Sequence, residues 1–176
     1  MQPTLVRRCV ALGDSQTEGI GDPDGNGGYR GWADRFAALL GTADPGLEYA
    51  DLAVCGRRAA QERAEQLGPA LAMEFDLVSV SAGMNDIIRP RFDRAALLAD
   101  VEAMFASLTA SGADVVTFTV SDIGAVAPFA RPLSARVRTL NATCVSWPHS
   151  TASPSSTSNP SPPRPTLRRG TRIGCT

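Results

Sequence analysis

The sequence predicts an α/β fold built on a parallel sheet, and three observations carry that prediction. Short apolar runs alternate with helix-forming stretches of about ten or more residues, the pattern of βαβ units with right-handed crossovers. The first three apolar runs each end in a polar, glycine-bearing turn: GDS at 13–15, CGRR at 55–58 and GMND at 83–86. The chain has 176 residues, enough for one domain with a sizeable core and too few for two comfortable ones.

Residues 5–12, LVRRCVAL, read as the first strand, and 31–41 place Trp32, Phe36, Leu39 and Leu40 at helical spacing. Residues 47–54 read as a second strand, and 57–71 are rich in helix formers. Residues 75–83 make a third strand, followed by a helix over 92–112 with Asp93 as its cap and Gly112 as its stop. A fourth strand spans 113–120, and 132–142 begin another helix. Ligands of open parallel sheets gather beyond the carboxyl ends of the strands. The three glycine-bearing turns therefore share one rim.

Charge and composition exclude several classes of partner. A net charge of -1 and a pI of about 5.8 give no electrostatic basis for binding nucleic acid or an anionic membrane. The N-terminal apolar run is too brief for a signal peptide, and no stretch approaches the roughly 20 apolar residues of a membrane span. A cytoplasmic protein is expected. Cys9, Cys55, Cys144 and Cys175 are scattered, and His149 is the single imidazole, so neither a metal nor another cofactor is expected. All 17 basic residues are arginine.

The stretch GDSQTEGIG, residues 13–21, bears most directly on chemistry. A phosphate cradle would need a lysine, and Asp14 and Glu18 would repel the phosphate. A plain turn remains open for G-D-S taken alone. Ester hydrolysis by a serine needs an exposed hydroxyl, donors aimed at the developing oxyanion, and a histidine to move the proton. The turns at 13–15, 56 and 83–86 supply the first two, in order and on one rim.

With GDSQTEG, YRGWADRFA, DLAVCGRRA and SAGMNDI in this order, residues 5–142 resemble the SGNH hydrolases, the GDSL-type esterases and lipases. The resemblance implies a three-layer sandwich with a parallel, flavodoxin-like sheet. It implies Ser15 as nucleophile, with its N–H, the Gly56 N–H and the Asn85 amide forming an oxyanion hole, and with Asp14, Gly83 and Asp86 in support. The substrate implied is a small-molecule carboxylic, acetyl or thioester, cleaved through an acyl-Ser15 intermediate. A non-catalytic ligand-binding protein of the same fold is the alternative, and a scaffold with a basic tail is a third.

The family's last block, D-x-x-H, has no counterpart. Ser146 stands where the aspartate before His149 would be, and no acid follows Asp122, so neither catalytic Asp nor His is found. Residues 143–176 are dominated by Ser, Thr, Pro and Arg, the composition of a disordered tail, leaving 1–142 as an incomplete domain without its fifth strand and last helix. A frameshift accounts for all of this. If each codon starts one nucleotide earlier, Ile173 to Thr176 can read D-R-L-H, Ser153 to Ser158 can read V-A-L-V-D-L as the missing strand, and Cys144 to Ser150 can read V-R-V-V-A-A-L and continue the helix.

Overall fold

The computed structural model describes residues 6–122, 124, 127–147 and 171–172. A parallel sheet forms the centre, with strands β1 (Arg8–Gly13), β2 (Glu48–Asp51), β3 (Leu77–Ser81), β4 (Asp114–Thr117) and β5 (Thr171–Arg172) in the order β4-β3-β1-β2-β5. β1 is buried along its whole length, as a central parallel strand covered on both faces must be. Its neighbours lie in register, Val10 opposite Ala50 on one side and Val78 on the other.

Between the strands run α1 (Ser15–Glu18), α2 (Trp32–Ala43), α3 (Ala59–Glu65), α4 (Leu67–Leu71), α5 (Met84–Ile87), α6 (Arg94–Ala110) and α7 (Arg131–Ser146). The strand order reverses at β1. Right-handed crossovers then put α2 on one face of the sheet and α3, α4 and α6 on the other. The α6 face carries the main core, in which Val10, Leu12, Val78 and Val80 meet Leu97, Val101, Met104, Phe105 and Leu108. Those α6 residues recur at helical spacing, and the Asp93 carboxylate caps the helix by accepting from the Ala96 N–H at 3.0 Å.

The opposite face is thinner. Alternation along β1 sends Cys9 and Ala11 away from Val10 and Leu12, and on α2 the buried residues are Ala33 and Ala37. The expected apolar stripe of α2 is therefore only partly used: Trp32, Phe36 and Leu40 are half-buried, and Leu39 is 66% exposed. Small residues on both sides permit close approach of helix and sheet, which turns the alanine face inward.

The C-terminal part departs from expectation in two places. The last helix does not stop at 142, because Leu133, Val137, Leu140 and Cys144 form one stripe against the core and hold α7 together through Ser146. Just beyond it, Trp147 packs on Phe105 at 5.4 Å between ring centroids and donates to Thr109 Oγ1 at 3.1 Å. Thr171 and Arg172, within the expected tail, pair with β2 rather than extending the sheet past β4. Among the described residues nothing pairs beyond β4, so that strand is an edge. His149, Cys175, the segment proposed as a displaced strand, and the D-x-x-H reading at 173–176 lie outside the described residues.

Candidate active site

The three turns meet at the carboxyl ends of β1, β2 and β3. Leaving β1, the chain enters α1, whose N-cap is Asp14; its carboxylate accepts from the Gln16 N–H at 3.0 Å. Ser15 is thus the first residue of a helical turn, where backbone N–H groups have no intrahelical acceptor. Its side chain is half-buried. Neither the Ser15 N–H nor its hydroxyl bonds to another described residue.

Gly56 sits in the turn after β2 with φ +75, a left-handed conformation that a side chain would strain, and open space surrounds it. Its N–H likewise donates to no described residue. The turn is anchored where it leaves β2: Cys55 N–H donates to Glu18 Oε2 at 2.7 Å, and Val54 N–H donates to the Gly13 carbonyl at 3.1 Å. Turn two is thereby tied to turn one.

Asn85 joins all three. From α5, its Nδ2 donates to Asp14 Oδ2 at 2.9 Å and to the Arg57 carbonyl at 2.9 Å. One amide therefore bridges the residue before Ser15 and the residue after Gly56. A carboxamide has two N–H donors, so both are engaged within the protein. A substrate oxygen would have to displace one of these acceptors, and the neutral Arg57 carbonyl is held less firmly than a carboxylate.

Gly83 makes this placement possible. It has φ +100, and a Cβ there would lie 2.9 Å from Leu97 Cδ1 and 3.2 Å from Leu140 Cδ2. Asp86 reaches the other way, accepting the Ala59 N–H at 2.9 Å and so capping α3. Burial raises the Asp14 carboxyl above its ordinary range, the Gln16 N–H lowers it, and the Asp86 charge adds to the rise. Asp86 is also raised by burial, with the Ala59 N–H and Arg58 pulling it back.

Two supporting side chains carried no sequence signal that singled them out. Gln66 clamps the peptide of Gly13 from both sides, its Oε1 accepting from the N–H and its Nε2 donating to the carbonyl, each at 2.9 Å. Glu62, one turn earlier, is fully buried. Their spacing with Ala59 on one helix face, at i, i+3 and i+7, was the available clue.

A cavity of about 220 Å³ is lined by Gln16, the residue after Ser15, with Ser81, Met84 and residues 118–121. Phe118 crosses from the end of β4 to meet Trp32 of α2 edge-on, 4.5 Å between centroids. Among the described residues no group of three or more His, Cys, Asp or Glu side chains could hold a metal. No helix among them is long and apolar enough to cross a membrane.

Ser15 at a helix start, with its own N–H and that of Gly56 unspent, thus lies in turns that the Asn85 amide ties together. The sequence matches the GDSL-like lipase/acylhydrolase family over residues 11–152, and the chain belongs to that family. The solved structure of TesA is 26% identical, with a TM-score of 0.56, covering 77% of this chain and 72% of that one. Axe2, an acetylxylan esterase from Geobacillus stearothermophilus solved as its H194A variant, aligns with a TM-score of 0.62 at 18% identity over 81% and 75% of the two chains. The psychrotrophic esterase EstA from Pseudoalteromonas sp. gives 0.57 at 14% identity over 77% and 72%. No protein of curated function matches the sequence. The family fixes the broad class as a hydrolase acting on esters.

Proposed function

We propose that Ser15 is the acyl acceptor of this site and that the N–H groups of Ser15 and Gly56, with Asn85 Nδ2, hold the oxyanion. The observation that carries this is a pair of unspent N–H donors, on Ser15 and Gly56, in two turns that the Asn85 amide ties together through Asp14 and the Arg57 carbonyl. In the reaction the Ser15 hydroxyl adds to the ester carbonyl, the carbonyl oxygen takes up negative charge between these donors, and the alcohol leaves. Water then releases the acid from the acyl-serine. Asn85 shifts one N–H from the Arg57 carbonyl to the substrate oxygen as charge develops, a donation that strengthens in the transition state.

Proton transfer is the weak link of this chain. Ser15 has no acid or histidine bonded to it among the described residues, and the sequence contains no D-x-x-H. The chain as written is therefore a poor catalyst that retains an ester-binding rim, and a tail read in the displaced frame restores the base. The test is p-nitrophenyl acetate hydrolysis by the given chain and by one whose residues from 143 onward follow that frame. Restored turnover abolished by Ser15→Ala, a gain on the order of a thousandfold or more, is expected. Equal rates in the two chains, both dependent on Ser15, would show that a base elsewhere already serves it.

A further inference from the structure

Glu62 is 0% exposed, and neither carboxyl oxygen has a hydrogen-bond partner among the described residues. A buried carboxylate without donors is among the costliest groups a fold can hold. It does not lie at random. It stands one helical turn before Gln66, which clamps Gly13, and three residues after Ala59, whose N–H binds Asp86.

We propose that Glu62 is a positioning residue for the Ser15–Gly56–Asn85 rim: as the neutral acid it fills the space under the Asp14 and Asp86 clamps, and its ionisation loosens them. The inference rests on the reading of that rim as the functional site. The charges that face Glu62 are acidic ones. Asp14 comes from the end of β1 and Asp86 from α5, and both disfavour a third negative charge beside them. α6, packed on α3, brings Asp100, already paired with Arg63 at 2.9 Å, and the exposed Arg94 and Glu102. α4 brings no titratable side chain, and α3 itself carries Arg63 and Glu65, following Arg58 at its cap. Asp14 binds Asn85 Nδ2 and Asp86 binds the start of α3, so repulsion from an ionised Glu62 acts on both ties that hold the three turns together.

Burial first, then Asp14 and Asp86, raise the Glu62 carboxyl well above the usual range. A folded-state value above the unfolded one means that the folded protein binds the extra proton. The contribution of Glu62 to stability is then fully present below the ordinary glutamate range and is lost as pH rises through the raised value. One proton corresponds to up to about a tenfold fall in the folding equilibrium constant per pH unit across that window.

The experiment uses the full chain and its Glu62→Gln and Glu62→Leu variants. Denaturant unfolding is followed from pH 5 to pH 9, together with the mapped modification rate of the Cys55 thiol, which adjoins Gly56. Both variants are expected to lose one proton's worth of pH slope, and the ratio of Cys55 modification in wild type to variant is expected to climb about tenfold over the window. A folded variant that keeps the full wild-type slope, or Cys55 rates that stay in constant ratio at every pH, would overturn the proposal. Neither readout needs Ser15 to react, so a failure of ester chemistry would count against the catalytic reading alone.

Discussion

Asn85 shows how much one side chain can hold. With one N–H on Asp14 and the other on the Arg57 carbonyl, it fixes the distance between the first and second turns and presents the donor that a substrate would borrow. Replacing it by alanine takes the partner from Asp14 Oδ2, leaving Oδ1 on the Gln16 N–H, and removes one of the proposed oxyanion donors. In the frame-restored chain, Asn85→Ala is expected to lower kcat on the order of a hundredfold or more with little change in KM. A KM rise at constant kcat would show that Asn85 only binds the ester. The residue types of this site were legible in the sequence because each has a chemical reason to be there. The engagement of both Asn85 hydrogens was not, since it depends on a carbonyl, that of Arg57, which no side-chain pattern encodes.

At the scale of elements, β1 and α6 could be read closely, because a continuous apolar run and a stripe at helical spacing leave few alternatives. The helix expected over 57–71 is instead broken into α3 and α4 at Gln66, where the side chain turns inward to the Gly13 peptide. Gly68 and Pro69 announce a break near Glu65, because proline cannot donate to the carbonyl four residues back, but nothing in the stretch announces the reach of Gln66 to Gly13. Gln66→Ala leaves the Gly13 N–H buried without a partner, while the carbonyl keeps the Val54 N–H, and is expected to cost about 2 kcal/mol, within the range for a stranded buried group. Chemical unfolding with unchanged m-value would measure it. A loss under roughly 0.5 kcal/mol, ordinary for a surface change, would mean that the clamp is idle. The α2 stripe failed for the opposite reason: periodicity identified the helix, but small side chains beneath it decided which face went inward.

For the whole molecule, the sheet among the described residues runs from β4 on one side of β1 to the two-residue β5 on the other. β4 is an edge among the described residues, and Phe118, which follows it, is 47% exposed. An uncovered edge beside an exposed aromatic invites association. The fold class was legible because alternating strands and helices constrain topology strongly. The extension of α7 past 142 was not, because it rests on Cys144 and Trp147 reaching the α6 core from a stretch whose composition reads as tail.

The proposed site has Ser15, Gly56 and Asn85 converging on one substrate oxygen. A boronic acid that adds to a serine hydroxyl places a tetrahedral oxygen in that spot. The measurement is the amide nitrogen–proton spectrum of the full-length chain with and without a short alkyl boronic acid. Shifts of the Ser15 and Gly56 backbone amides and of the Asn85 side-chain amide, all lost in Ser15→Ala, are expected. An adduct on Ser15 that leaves the Gly56 and Asn85 signals in place would contradict the site.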